Sequence, residues 1–373
     1  MKHIRIPSLL LFFTILIFIP FTAHADELSG LQETVARQQE QIDSLSQKVK
    51  DMENEGDSKF GWNLGLFGDV NYTTKSREHD HDSFYFPELS VYSTASYGER
   101  LNFLAEIAFE QPEADIERIW AGYTVSDMLI IRAGKFHTAM GYWNKTYHHG
   151  RQLFNTVDRP FFLAFEHDGG VQPLHITGIE IEGSKALGIG RLKYEFELGN
   201  GPMIDQTVNV LDSSNDSDNN SSKQPIIRVS LRPSAVQGLS VGVFATNFEV
   251  DTSIKTGVDE TIYGIDIAYA GNNFEFITEG FLFHNPDGDG NACYGQLAYT
   301  YGDWTPYFRY ERLEVQEGSD PYFDDLGAID RRQTIAGLKY DIDPLRSNLK
   351  FQYRHDDSTN DYDVFETQWA FHF

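Results

Sequence analysis

Large apolar residues occupy every second position in one segment after another from Phe60 to the end of the chain. The pattern is clear in "LNFLAEIAF" (101–109), "RLKYEFEL" (191–198), "NLKFQYRH" (348–355) and the terminal "FETQWAFHF" (365–373). A period of two places alternate side chains on opposite faces of a β-strand. Each segment is therefore predicted to be a strand with one apolar face and one polar face.

About sixteen strands are predicted from this period and from the turn residues that separate the segments. They lie near 60–73, 84–96, 101–110, 115–124, 129–137, 174–183, 191–199, 225–232, 239–250, 260–270, 273–284, 292–301, 304–315, 328–341, 347–356 and 362–373.

The connections between these strands alternate between short turns and longer polar loops. "SDM", "GNN" and "GD" are examples of the first kind, and "SREHDHDS", "QPEA" and "EGSDPYFDDLGA" of the second. An even strand number with this alternation indicates an all-β, antiparallel transmembrane β-barrel over residues 58–373. A propeller would show a blade repeat of about 40–50 residues, which is absent. A β-sandwich would not need outward aromatics on nearly every strand.

The last strand is predicted to close the barrel, which explains why the chain ends on an aromatic residue. The predicted lipid-facing residues are Phe365, Thr367, Trp369, Phe371 and Phe373. The predicted interior residues are Glu366, Gln368 and His372.

A different period precedes the barrel, in residues 26–57. A heptad pattern runs through Leu28, Leu31, Val35, Gln38, Ile42, Leu45, Val49 and Met52. A strict seam of this kind predicts a short N-terminal coiled-coil helix. An amphipathic helix that packs on its own chain is the alternative, although its apolar stripe is usually wider.

Residues 1–25 are predicted to be a secretory signal peptide. A basic start, "MKHIRIPS", precedes the apolar stretch "LLLFFTILIFIPF" and the small-residue site "AHA". The apolar stretch is too short to span a bilayer as a helix, so a retained anchor is the weaker alternative.

The overall charge and the cysteine content exclude several classes of protein. A formal net charge of −26 argues against a nucleic-acid partner, because the phosphates would be repelled. Cys293 is the single cysteine, so an intrachain disulfide is impossible. The fold must be held together by its sheet and core.

Two motifs resemble those of Gram-negative outer-membrane porins. The terminal Trp369, Phe371 and Phe373 look like the C-terminal assembly signal of that class. The stretch "IIRAGKFHTAMGYWN" (130–144) resembles the R-x-G-[KR]-F-x-x-x-x-G stretch of porins related to the phosphate-selective type, which often carry an N-terminal coiled coil. The resemblance implies insertion into outer-membrane lipid by the barrel-assembly machinery. It also implies a homotrimer that passes small solutes and ions. The coiled coil is expected in the periplasm, because the N-terminus lies on the short-turn side of the barrel.

The segment 138–173 is the third connection on the long-loop side. In porins, the resemblance implies, this loop folds into the lumen and narrows it; a lid packed over the outer rim is the alternative. Its many aromatics predict a packed loop, in contrast to the polar surface loop predicted at 200–224. The candidate constriction residues are Tyr142, Trp143, Lys145, His148, His149, Arg151, Asp158, Arg159, Glu166 and Asp168.

The polar face of the barrel carries charges of both signs. The candidate pore-wall residues are Arg118, Arg132, Arg228, Arg309, Lys350, Arg354, Glu106 and Glu180. This mixture departs from the Arg and Lys ladder of the phosphate-selective relatives. We therefore expect Asp158, Glu166 and Asp168 to face Arg118 and Arg132 across the narrowest point, with a modest preference for cations.

Other motifs are weak. The run "HDHD" (79–82) could bind a metal but is more typical of a solvated loop, and "DGDGN" (287–291) fits a tight hairpin better than a calcium loop. We predict no metal, no cofactor and no enzymatic activity, since no nucleophile motif such as G-x-S-x-G is present. The sequence favours a passive channel, and the alternative is a structural or adhesive barrel tethered by its coiled coil.

Overall fold

The computed structural model describes residues 60–76, 80–110, 113–147, 150–342 and 346–373. The predicted signal peptide and coiled coil lie outside the described residues. No helix in the described ranges is long and apolar enough to cross a membrane.

Nineteen β-strands account for most of the described residues. They are β1 (Phe60–Thr73), β2 (Ser83–Tyr85), β3 (Leu89–Tyr97), β4 (Leu101–Glu110), β5 (Glu113–Ser126), β6 (Leu129–His137), β7 (His175–Leu187), β8 (Gly190–Asn200), β9 (Ile204–Asp205), β10 (Val210–Leu211), β11 (Lys223–Pro233), β12 (Leu239–Val250), β13 (Val258–Gly271), β14 (Phe274–His284), β15 (Asp289–Tyr299), β16 (Trp304–Glu314), β17 (Arg331–Ile342), β18 (Ser347–Asp357) and β19 (Tyr362–His372). The helices are short: α1 (Tyr142–Thr146), α2 (Pro321–Asp325) and two 3-10 turns, Phe161–Leu163 and Glu166–Asp168.

The sheet closes on itself through β1. Its first part pairs with β3, from Phe60 opposite Tyr97, and its second part pairs with β19, from Phe67 opposite His372. Because β2 and β3 share one position beside β1, the closed sheet is an antiparallel barrel of sixteen strands. The predicted fold class and strand number are confirmed.

The alternation of the sequence separates an apolar outer face from a polar inner face. On β4, Phe103 is 45% exposed while its near neighbour Glu106 is fully buried. On β19, Phe365 and Trp369 are exposed whereas Glu366 and Gln368 are buried. The pleat accounts for this sorting, since alternate side chains must point to opposite faces.

The short connections are tight turns, as predicted. Asn272 and Asn273 form the two-residue turn between β13 and β14 with φ values of 51° and 66°. Asparagine tolerates this left-handed conformation, which matches the twist of the flanking strands. "QPEA" is an exception to the predicted lengths, because β4 ends at Glu110 and β5 begins at Glu113.

The period of two did not predict three features of the fold. The strand predicted at 84–96 is divided into β2 and β3, and the predicted surface loop at 200–224 contains the β9–β10 hairpin. Ile204 and Leu211 are buried in that hairpin, which explains why the loop is ordered there. Helix α2 is capped by Asp320, whose side chain accepts from the backbone N–H groups of Tyr322 and Phe323.

Candidate functional site

Hydrogen bonds join the two ends of the connection between β6 and β7. We call this connection the inner loop (138–174), because it contacts inward-facing side chains of the wall. The backbone N–H of Thr138 donates to the carbonyl of Leu174 at 2.8 Å. The Asn144 amide donates to the carbonyls of both residues, at 3.1 and 3.0 Å. These bonds hold the two ends of the loop together.

Acidic side chains of β8 and β14 accept backbone N–H groups at the start of the inner loop. Glu197 accepts from Ala139 at 2.9 Å, and Glu279 accepts from Tyr142 and Trp143 at 3.0 and 2.8 Å. The first N–H groups of a helix have no partner within it, so a carboxylate beside α1 satisfies them. This side of the wall therefore anchors the loop through its backbone.

Lys145 reinforces that anchor through its charge. Its Nζ lies 3.0 Å from Glu180, 3.5 Å from Glu195 and 3.4 Å from Glu197. Burial alone would lower the pKa of Lys145, but the three carboxylates outweigh burial and raise it. The amine is therefore charged and balances part of a dense acidic cluster.

Basic side chains on other strands donate hydrogen bonds to the inner loop. Lys350 of β18 donates to the carbonyls of Arg151 and Thr156 at 2.5 and 2.7 Å. Arg309 of β16 donates to the carbonyls of Asp158 and Arg159 at 2.8 and 3.1 Å. The loop thus donates N–H groups to acids of β8 and β14 and presents carbonyls to bases of β16 and β18, and its Phe161 N–H also donates to Glu311 of β16 at 2.6 Å.

An aromatic cluster packs the inner loop against the wall. Trp143 is fully buried, and its ring centroid lies 5.0 Å from that of Phe154 and 5.8 Å from that of Tyr294. Phe162 contacts Phe281 in the same way, with centroids 5.5 Å apart. The aromatic content of the loop correctly predicted a packed segment.

The end of the inner loop is fixed by Glu166. Its carboxylate accepts from the backbone N–H groups of Leu174 and His175 at 2.6 and 2.9 Å and lies 3.1 Å from His175 Nδ1. The other ring nitrogen of His175 lies 2.8 Å from Glu117. Burial alone would raise the pKa of Glu166, but His175 and these N–H groups lower it. His175 and Glu117 were missed because nothing in their local sequence indicates that they meet.

Four of the predicted wall residues pair with one another. Arg118 lies 2.5 Å from Glu106, and Arg132 pairs with Glu180 and, at 2.7 Å, with Glu182. Adjacent strands of an antiparallel sheet bring such side chains close together on one face.

Three of the remaining predicted bases also pair with acids of the wall, whereas Lys350 donates to the inner loop. Arg309 pairs with Glu311 of its own strand at 2.8 Å. Arg228 pairs with Asp266 at 2.8 Å and Arg354 with Glu366 at 3.0 Å.

The predicted opposition between loop acids and Arg118 or Arg132 is wrong. Both arginines are satisfied by acids of their own wall, and the loop acids have other neighbours. Asp158 lies 3.3 Å from Arg151, and Asp168 is exposed beside His167. His148 and His149 lie outside the described residues.

A cavity of about 740 Å³ is lined by part of the inner loop, by β16–β19 and by the segment 326–329. Arginines predominate among its charged lining residues, which also include Asp158, Asp168 and Glu366. The arginines are Arg151, Arg159, Arg309, Arg331 and Arg354. Arg331 was absent from the predicted set. It could have been identified, because the period of two on a predicted strand places it on the same face as Gln333 and Ile335.

In the part of the chain that the structure describes, no cluster of three or more His, Cys, Asp and Glu side chains could hold a metal ion. His79 of the "HDHD" run lies outside that part. The "DGDGN" segment forms a tight hairpin, as predicted, in which Asp289 pairs with His284 across the β14–β15 turn.

No family model and no curated protein matches the chain. Solved structures do match. The Salmonella typhi OmpF complex with daunomycin is 10% identical with a TM-score of 0.61, covering 84% of this chain and 97% of that one. An anion-selective porin from Comamonas acidovorans is 12% identical with a TM-score of 0.58, covering 84% and 100%.

Pseudomonas putida OprB is a third similar structure, 8% identical with a TM-score of 0.55, covering 88% of this chain and 97% of its own. At such identities the similarity concerns the fold, which is the sixteen-strand barrel of these proteins.

Proposed function

We propose that this chain is an outer-membrane porin, a water-filled channel through which small hydrophilic solutes and ions diffuse passively. The observation that supports this function most directly is the closed barrel with an apolar outer face and a charged inner face. A closed barrel satisfies its backbone groups without water and can therefore sit in lipid. Charges inside a hydrated lumen can steer ions without a large burial cost.

The inner loop narrows this channel in our proposal. Its hydrogen bonds reach strands as far apart in the sheet as β8, β14 and β18. A loop anchored to so many inward-facing side chains leaves less free cross-section than the empty barrel. The cavity of about 740 Å³ beside it is then the part of the path that stays open.

The remaining parts of the chain have roles that follow from this function. Residues 1–25 would direct export, and residues 26–57 would form a periplasmic coiled coil that joins three copies. Trp369, Phe371 and Phe373 would be recognised by the barrel-assembly machinery. The mass of the detergent-solubilised protein tests the trimer, and a monomer with 26–57 intact would contradict it.

A liposome-swelling assay tests the function. Liposomes that contain the purified protein should swell in isotonic sugars, at rates that fall as the sugar becomes larger, because the open path has a limited width. Liposomes with heat-denatured protein are the control. If native protein causes no swelling, the chain is a closed scaffold, as expected of a structural or adhesive barrel.

A further inference from the structure

The guanidinium of Arg159, in the inner loop, is buried, and no described protein group accepts a hydrogen bond from it. The side chain is 8% exposed, and its three nitrogens have no hydrogen-bond partner in the described part of the chain. The guanidinium lies over the ring of Phe165, whose centroid is 4.5 Å from the guanidinium carbon. A guanidinium offers five N–H donors, and leaving them unmatched inside a protein is costly.

The positive charge of Arg159 is also only partly compensated by its surroundings. Burial lowers the pKa of Arg159 to about 10, and the attraction of Glu166 compensates only in part. Glu166 itself is engaged by His175 and two backbone N–H groups. A further negative group beside Arg159 would complete its hydrogen bonds and offset its burial.

Arg159 lines the cavity of about 740 Å³, in which positive groups outnumber negative ones. Arg309 and Arg354 are already bound to carboxylates, so they offer few donors to a solute. The acids of the other wall are engaged by the inner loop, as Glu279 and Glu197 illustrate. Among the five arginines of this lining, Arg159 is therefore the one whose guanidinium forms no ion pair within the described residues.

The lining is also rich in apolar surface. Arg331 lies over the ring of Phe161, with its guanidinium carbon 4.8 Å from the ring centroid, which repeats the arrangement of Arg159 on Phe165. Further apolar lining residues are Tyr85, Phe86, Phe162, Leu326 and Ile335. A hydrated inorganic anion gains nothing from such a surface, whereas an organic body can be buried against it.

We propose that this cavity binds an organic anion, a carboxylate carried on an aromatic or other apolar body. The carboxylate accepts a pair of hydrogen bonds from Arg159, because the guanidinium fork matches its geometry, and the body lies against the aromatic lining. The inference rests on the proposed function, since the solute would reach the cavity by way of the channel. It names the class of solute that the channel would retain on its passage.

Benzoate is a suitable probe, and its effect can be read in single-channel current. Benzoate should cause current interruptions that become more frequent with concentration. Acetate lacks the ring, phosphate lacks the apolar body, and benzylammonium has the wrong charge, so each should interrupt the current less. Equal effects of benzoate and acetate would overturn the proposed role of the apolar lining.

Substitution of Arg159 tests the assignment of the residue. Arg159→Gln should weaken benzoate binding at least about tenfold, the cost of removing charge-assisted hydrogen bonds. Arg332→Gln is the matched control, because Arg332 is on β17, about half exposed and absent from the cavity lining. It should leave benzoate binding unchanged. If Arg159→Gln does not fold into a heat-modifiable barrel, Arg159→Lys replaces it and should weaken binding because the planar fork is lost.

The two proposals fail in different ways. Steady open channels that benzoate does not affect, or an Arg159 variant with unchanged affinity, would overturn the binding site and leave the porin function intact. A protein without open channels would overturn the porin function. Benzoate titration of the detergent-solubilised protein by calorimetry would then decide the site, since Arg159-dependent binding supports it and its absence overturns it.

Discussion

At the scale of single residues, Lys145 connects the inner loop to a group of buried acids on β7 and β8. Three carboxylates, those of Glu180, Glu195 and Glu197, lie within 3.5 Å of its amine, and all three are almost fully buried. Removing one partner of a buried ion pair leaves charges that nothing compensates. The loop should therefore be more sensitive to this lysine than to others on the chain.

We predict that Lys145→Met lowers the free energy of unfolding by about 3 kcal/mol, because the acids then repel one another. The measurement is the urea midpoint of the heat-modifiable band. Lys185→Met, at an exposed position of β7, is the control and should change little. Adding Glu197→Gln to Lys145→Met should recover part of the loss, and no recovery would contradict this role of the lysine.

Glu166 gives the loop a dependence on pH. Its pKa in the folded protein lies below the ordinary value of 4.5. Its ionised form is therefore the stabilising one, fully effective above pH 4.5 and lost as the pH falls through the lowered pKa. Single-channel current noise should rise in this acidic range. Glu166→Gln should be noisier at neutral pH and show a smaller acid-induced rise, and an identical rise in both proteins would exclude Glu166 as the cause.

The individual site residues could be predicted only in part. The apolar loop residues, such as Trp143 and Phe162, were identifiable because a solvated loop would not carry so many aromatics. The partners of Arg118 and Glu166 were not, because they depend on which strands become neighbours and on where the loop returns. Glu117 is an example, since it meets His175 only at the irregular pairing of β4 and β5.

At the scale of elements, β19 is the strand on which closure depends. Phe373, which directly follows β19, exchanges two backbone hydrogen bonds with Leu66 of β1, at 2.8 and 3.0 Å. The strand also pairs along its length with β18. The chain terminus is therefore part of the seam that makes the sheet continuous.

We predict that deletion of Phe373 greatly reduces the amount of folded barrel in the outer membrane and leaves protein in the periplasm. Phe308→Ala is the control, because Phe308 is an outward phenylalanine of similar exposure on β16. It should assemble normally. Heat modifiability of the membrane fraction is the measurement, and wild-type amounts from the deletion would refute the role of the terminus.

The strands were predictable because each has one face in contact with polar groups and one with apolar surroundings, which imposes a period of two. The β9–β10 hairpin and helix α2 were not predictable in this way. Both are a few residues long, and burial of residues such as Ile204 and Tyr322 determines them. Such contacts are made by distant parts of the chain and leave no local period.

At the scale of the whole molecule, net charge and local charge lead to opposite expectations. The net charge of −26 predicts a modest preference for cations. However, salt screens charges beyond about 8 Å, so the groups that line the open path matter most. Those groups are mainly arginines. We therefore predict a reversal potential that favours anions in a salt gradient, and a preference for cations would show that the net charge dominates.

The central claim is a hydrated barrel narrowed by its inner loop, and single-channel conductance in planar bilayers tests it most directly. Wild-type protein should give stable open steps, and deletion of 145–165 should raise their conductance. Deletion of 254–256, in the exposed loop between β12 and β13, should leave it unchanged. A folded 145–165 deletion with wild-type conductance would place the loop outside the conducting path, and absence of open steps in the wild-type protein would contradict the channel itself.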